Sequence, residues 1–154
     1  MLRITLAALH LLALAIGFGA VLGRGASLRK PASAEALRRA FHFDSQWGGA
    51  AALWVGTGLW RYLGETEKST AYYNGNHLFL TKMGLLALIL VLEVWPMVTL
   101  IRWRRAVGRG TAPDAVAPAG TGRRLATISF VQAGLVVVMV FLAAGMARGF
   151  GGRD

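Results

Sequence analysis

Long apolar blocks dominate the pattern of hydrophobic and polar positions along the chain. Four such blocks stand out, and charged or Gly- and Pro-containing segments separate them: residues 4–23, 47–63, 78–101 and 125–147. An α-helix needs about 20 predominantly apolar residues to cross the hydrocarbon core of a bilayer. The pattern therefore predicts an all-α fold, an antiparallel four-helix transmembrane bundle.

The segments outside these blocks predict two further features. Residues 32–43 have the pattern of an amphipathic helix that lies at the membrane interface or extends the second span. Residues 106–122 are rich in Gly, Ala and Pro, which is typical of a flexible cytoplasmic linker without structure of its own. The first block also resembles a secretory signal peptide, but His10 inside the apolar stretch argues against that alternative.

The composition agrees with a membrane protein. Of the 154 residues, 55% are hydrophobic and only 16% are charged, whereas about 25% of the residues in a typical soluble domain are charged. The length suits a single integral membrane domain over residues 1–154. The absence of cysteine excludes disulfides, thiol nucleophiles, iron–sulfur clusters and covalently attached c-type haem.

The basic residues predict an orientation. Eleven lie in the connections after the first and third blocks and five lie on the opposite side. Short cytoplasmic loops are enriched in Lys and Arg, so both termini are expected to be periplasmic, in the inner membrane of a bacterium. The net charge of +10 then indicates contact with anionic lipid head groups. No nucleic-acid recognition motif accompanies the charge, so nucleic acid is not an expected partner.

Ionisable side chains inside spans are costly and mark candidate functional sites. His10 and Lys82 are expected at similar depths, roughly 10 Å and 6–8 Å below the same membrane surface. His10 is a candidate metal or haem-iron ligand, or else a histidine that bonds a neighbouring carbonyl. Lys82 is a candidate partner for a ligand carboxylate, or else a lysine that reaches the head groups.

Glu93 lies deeper, towards the other side of the membrane. Gln132 in the fourth block reaches about the same depth, so a structural Glu93–Gln132 hydrogen bond is expected. Proton handling by Glu93 is the alternative.

Small residues follow one another at helical spacing in the second block: Gly48, Gly49, Ala52 and Gly56. Such stripes allow close approach of helix backbones in lipid. They also make a homo-oligomer conceivable.

Three stretches carry a family resemblance: ALHLLALAIGFGAVLGRG, TGLWRYLGETEKSTAYYNGNHLFLTKMGLL and LEVWPMVTLIRWRR. They resemble an uncharacterised bacterial membrane-protein family, domain of unknown function family 2214. This resemblance implies four spans and supplies no activity.

A more distant resemblance carries chemistry. A histidine early in the first span and a lysine at the start of the third are similar to the pattern of HemJ-type protoporphyrinogen oxidases, relatives of the copper-resistance D membrane domain. That resemblance implies haem b, with His10 as the iron ligand and Lys82 as the essential, catalytic lysine. The basic loop after the first span and the Phe79-Leu80-Thr81 context differ from that family's pattern.

Three functional hypotheses follow. The first is a protein that binds haem b or a related tetrapyrrole through His10, with HemJ-like redox chemistry conceivable. The second is a structural or scaffolding membrane protein without a cofactor. The third is a small transporter that handles a metal or protons through His10, Lys82 and Glu93.

Overall fold

The computed structural model describes residues 1–151, which are almost entirely helical. The helices are α1 (Leu2–Leu28), α2 (Ala34–Leu63), α3 (Thr70–Gly75), α4 (His77–Gly108), α5 (Pro113–Val116) and α6 (Ala119–Ala147). No strand occurs in these residues. The prediction of an all-α protein is therefore confirmed.

Side-chain caps set where several helices begin. The Ser33 hydroxyl accepts the Ala36 N–H at 3.1 Å at the start of α2. The Asn76 side chain accepts the Leu78 and Phe79 N–H groups at 2.9 and 3.2 Å at the start of α4. These contacts satisfy N–H groups that have no partner inside a helix. The cap at Asn76 places Lys82 in the second turn of α4.

Three helices are long and apolar enough to cross a membrane, namely α1, α4 and α6. Helix α2 has sufficient length, with 30 residues, but it does not meet the same criterion of hydropathy. Its sequence mixes apolar residues with Gly, Ser, Gln and charged residues, especially in its first half.

Helix boundaries differ from the sequence-based expectations in two places and decide between two alternatives in a third. Helix α1 continues beyond residue 23 to Leu28. Helix α2 joins the amphipathic segment and the second apolar block into one helix, which agrees with the alternative that this segment extends the second apolar block. The predicted linker over residues 106–122 contains the end of α4, all of α5 and the start of α6. That prediction is wrong for most of the segment, because alanine favours helix and proline is compatible with a first turn.

The long helices pack antiparallel to their neighbours. Contacts between α1 and α2 run in opposite directions along the two helices, from His10 beside Thr57 to Gly23 beside Phe43. A Cβ atom on Gly23 would lie 2.7 Å from the Phe43 ring, so the ring occupies the space that the glycine leaves open. Helix α6 packs against the other side of α1, and α4 packs against α6.

Contacts between α4 and α2 close the arrangement at both ends. Arg104 donates to the Phe41 carbonyl at 2.7 Å, and Tyr62 stacks on Phe79 with ring centroids 5.5 Å apart. The long helices therefore follow the order α2, α1, α6, α4 around a common interior.

Packing is uneven along this interior. In the fully described helix α4, no residue from His77 to Leu88 is buried, whereas Ile89, Pro96, Leu100 and Trp103 are. We call the part of the structure that contains His10, Thr57 and Lys82 the His10 end. Helix α4 is packed more loosely there than at the opposite end.

The small-residue stripe of α2 does not mediate packing within the chain. Gly48, Gly49, Ala52 and Gly56 are exposed. Cβ atoms on the three glycines would meet nothing within 4 Å among the described residues. At Gly17 and Gly23 of α1, the missing side chain instead leaves room for the rings of Trp47 and Phe43. Contact of the stripe with a second copy stays a prediction.

Candidate functional site

The centre of the interior is polar and is organised by one arginine. The Arg24 side chain is completely buried, and all five of its N–H donors are used. Nε donates to Ser129 Oγ at 3.0 Å, and Nη1 donates to Asp44 Oδ1 at 3.0 Å and Glu93 Oε1 at 2.6 Å. Nη2 donates to Glu93 Oε2 and to Gln132 Oε1, both at 2.8 Å. We call these five residues the Arg24 network.

The other members of the Arg24 network are also paired. Gln132 Nε2 donates to Glu93 Oε2 at 2.9 Å and to the Ile89 carbonyl at 3.2 Å. Ser129 Oγ donates to the Leu125 carbonyl at 3.0 Å. The expected Glu93–Gln132 hydrogen bond is thus confirmed. A carboxylate held by a bidentate arginine and an amide is typical of a structural ion pair.

The charges nearly balance. Arg24 faces two carboxylates, and Arg104 brings a second positive charge to 3.8 Å from Asp44. Arg104 lies at the surface, where it also donates to Ser45 Oγ at 3.1 Å. The network therefore extends from the interior to the surface of the protein through Asp44.

Arg24 is the residue that sequence reasoning missed. It was counted with the basic loop residues, but it lies inside α1. Without it, ten basic residues remain on the side expected to be cytoplasmic, still twice the five opposite. A signal was present, because Ala13, Gly17, Ala20 and Arg24 follow one another at helical spacing and are all buried.

His10 lies between α1 and α2. Its Nδ1 is 2.9 Å from Thr57 Oγ1, and Thr57 Oγ1 is 2.7 Å from the Leu53 carbonyl oxygen. The imidazole is tilted against the Trp54 ring at a centroid distance of 5.8 Å. A Cβ atom on Gly58 would lie 3.1 Å from His10 Cε1. The ring is therefore held by α2 and does not point freely into the surroundings.

Lys82 lies near this histidine without bonding to it. Lys82 and Arg61 are close enough to His10 to interact with it electrostatically. Within residues 1–151, Lys82 makes no hydrogen bond or salt bridge, whereas Arg61 pairs with Glu67. His10 and Lys82 therefore lie at the same end of the long helices. The other two histidines, His42 and His77, are exposed and do not contact His10.

The donor set limits which cofactors this end could hold. Within residues 1–151, no three His, Asp or Glu side chains cluster as metal ligands. A lone imidazole suits haem iron, which takes only its axial ligands from the protein. Trp54 adds a buried indole N–H that has no acceptor in the described chain. An unpaired buried donor of this kind is suited to an acceptor on a ligand.

Space is limited on the α1–α2–α6 side of His10. A cleft lined by Ala13, Gly17, Trp47, Trp54 and Val136 is too narrow to hold even a water molecule. Pockets for small molecules usually measure about 300–1,000 Å³. This cleft therefore does not enclose a tetrapyrrole.

The Arg24 network predicts that two Glu→Gln substitutions differ greatly in their effect on the free energy of unfolding. Glu93→Gln removes one partner of a buried arginine and should lower the free energy of unfolding by about 3–5 kcal/mol. Glu35→Gln breaks the exposed Glu35–Arg39 pair and should cost less than about 1 kcal/mol. Unfolding in detergent, followed by circular dichroism, measures both. Equal costs would contradict a stabilising role for the network.

Comparison with known proteins places the chain in a family. A family model described as "Predicted membrane protein (DUF2214)" matches residues 2–151. The search of curated proteins and the search of solved structures found no match. The expected similarity to HemJ-type oxidases is therefore not shown by these comparisons. Since the family model covers nearly the whole chain, the protein belongs to the DUF2214 family of predicted membrane proteins.

Proposed function

We propose that α2 crosses the membrane beside α1, so that the protein is an antiparallel four-helix transmembrane bundle. The contacts between the two helices support this, because they extend from His10–Thr57 to Gly23–Phe43. Those contacts cover about 20 Å of α1, at a rise of 1.5 Å per residue. A helix that accompanies an apolar span over this distance shares its depth.

The remaining basic residues support the orientation that we propose. The ten on one side lie after α1, near the end of α4 and near the start of α6. Four of the five others lie opposite, and the fifth, Arg153, lies outside the described residues. The former side is cytoplasmic in our proposal, and both termini are periplasmic in a bacterial inner membrane. Exposed side chains such as Arg29, Arg102 and Arg124 would then meet anionic head groups.

Two matched cysteine substitutions test the crossing of α2. Lys30→Cys lies before α2 and Lys68→Cys lies after it, and both positions are exposed. A membrane-impermeant maleimide should label Lys68→Cys in spheroplasts but label Lys30→Cys only after lysis. The natural chain contains no cysteine and provides the blank. Labelling of both positions from one side would show that α2 does not cross.

We propose further that the His10 end binds haem b or a related tetrapyrrole, with His10 as the axial ligand. The observation that carries this proposal is the His10 imidazole itself. The Nδ1 atom is held by Thr57, and the Nε2 atom makes no side-chain hydrogen bond in residues 1–151. A ligating histidine generally has its second ring nitrogen fixed in this way. When bound, the haem would supply one-electron redox chemistry.

Charge and packing at the His10 end are suited to such a ligand. Lys82 carries a positive charge without an acidic partner in the described chain, whereas the charge of the neighbouring Arg61 is already paired with Glu67. Propionate groups of a tetrapyrrole would complement the Lys82 charge. The flat apolar macrocycle would lie in the loosely packed region between His10 and α4. The catalytic role of Lys82 that the HemJ resemblance implies belongs to this proposal.

The absorption spectrum tests His10 as the ligand. Protein purified from haem-sufficient cells should show a Soret band, and His10→Ala should abolish it because the iron loses its protein ligand. His42→Ala and His77→Ala are matched controls at exposed positions and should retain the band. A colourless protein, or a band that survives in folded His10→Ala, would contradict haem ligation by His10.

Lys82 is tested by changing the charge of the ligand. Lys82→Met should weaken haem binding about tenfold or more, which is typical for loss of a hydrogen bond to a charged group. The affinity for haem dimethyl ester, which lacks the propionate charges, should not change. Lys68→Met, at an exposed position outside the long helices, is the control. Equal weakening for both ligands would show that Lys82 does not pair with a propionate.

The Arg24 network favours a second candidate function, a scaffolding membrane protein without a cofactor. The network joins α1, α2, α4 and α6 through groups that are already paired with one another. The same pairing leaves Glu93 poorly suited to carry protons, which weakens the transporter hypothesis. A colourless preparation that stays folded and stable in His10→Ala would favour the scaffold.

A further inference from the structure

We propose that Thr57 is a positioning residue that fixes the tautomer of His10, with the proton on Nδ1 and the lone pair on Nε2. The tautomer follows from hydrogen bonds within the chain. Only its use, presentation of Nε2 to haem iron, rests on the proposed function.

The argument begins with the single proton of the Thr57 hydroxyl. Oγ1 lies 2.7 Å from the Leu53 carbonyl oxygen and 3.1 Å from the Trp54 carbonyl oxygen. A carbonyl oxygen only accepts, so the hydroxyl proton is directed to the backbone of its own helix. The shorter distance identifies Leu53 as the main acceptor.

The hydroxyl can then only accept from His10. Nδ1 lies 2.9 Å from Oγ1, which is a hydrogen-bond distance. Since the one hydroxyl proton is already donated, the proton between these atoms belongs to Nδ1. In a neutral imidazole the other nitrogen, Nε2, then carries the lone pair.

The opposite tautomer is disfavoured at this position. With the proton on Nε2, either two lone pairs would face each other at 2.9 Å or the hydroxyl would turn away from Leu53. Thr57 is 6% exposed, so water does not readily replace the lost bond. Loss of one neutral hydrogen bond corresponds to a preference of roughly tenfold. Free histidine favours the proton on Nε2, so the site would reverse the usual preference.

The surroundings also hold the ring in one place. The Trp54 ring lies on one side at 5.8 Å, and Gly58 leaves room beside His10 Cε1 that a Cβ atom would restrict. Thr57 and these neighbours all lie on α2. Helix α2 thus presents the lone pair of a residue of α1. A Lewis-acidic iron centre is the class of ligand that needs an unprotonated Nε2.

Nitrogen-15 NMR of the full-length, histidine-labelled protein tests the tautomer without any cofactor. The sample is cofactor-free protein in bilayers at about pH 8, where an ordinary histidine is neutral. His10→Ala identifies the His10 signals among the three histidines. We expect Nδ1 to show the shift of a protonated nitrogen and Nε2 that of an unprotonated one. The reverse pattern in the natural chain would overturn the proposal.

Two substitutions of Thr57 test its role. Thr57→Val removes the hydroxyl at similar volume and should abolish the preference for protonated Nδ1, whereas Thr57→Ser should retain it. An unchanged spectrum in Thr57→Val would show that Thr57 does not set the tautomer. If Thr57→Val does not fold, the signals of the natural chain and of Thr57→Ser still decide the result.

The outcome is separable from that of the haem experiment. If Nδ1 is protonated but the protein never shows a Soret band, the tautomer proposal stands and the haem proposal is refuted. If the Soret band depends on His10 but Nε2 is protonated in the cofactor-free protein, the haem proposal stands and the tautomer proposal is refuted. When both hold, Thr57→Val should weaken haem binding about tenfold to a hundredfold, as is typical for outer partners of ligating histidines.

Discussion

Burial of the Arg24 guanidinium is the constraint on which the rest of the structure depends. A charge in a water-free interior is costly unless it is paired and every donor is satisfied. Arg24 meets this requirement only through residues of the other three long helices. The four helices must therefore meet at one level and in one rotational setting. Apolar packing alone specifies neither as strictly, because many rotations of a uniformly apolar helix bury similar surface.

This constraint divides the molecule into two parts that differ in packing. Around and beyond the Arg24 network, α4 contributes buried residues and the polar groups are paired. At the His10 end, no residue in the first three turns of α4 is fully buried, and several polar groups remain without partners. Within the part of the chain that the structure describes, those groups include the Lys82 ammonium, the Trp54 indole N–H and the Arg61 Nε–H. One end of the molecule is closely packed and positions the helices. The other end is packed more loosely and retains polar groups without partners. This combination is suited to ligand binding.

The same contrast separates structural from functional interpretations of charged residues in spans. Glu93 and Lys82 both lie in α4, and both looked alike as costly charges in an apolar block. Their partners distinguish them. Glu93 binds Arg24 and Gln132, so its charge is already used to hold the helices together. Lys82 has no such partner in residues 1–151, and its charge is available to a ligand.

The sequence by itself determined the helical class, the three strongest apolar helices and the Glu93–Gln132 hydrogen bond. Block length, helical rise and depth are properties of one helix at a time and can be read along the chain. The burial of Arg24, the continuity of α2 and the Thr57 partner of His10 were decided only by the tertiary structure. Each depends on which face one helix turns towards another. A basic residue just beyond an apolar block looks like a loop residue until the helix is known to continue. A threonine 47 positions away from a histidine gives no local signal that the two will meet.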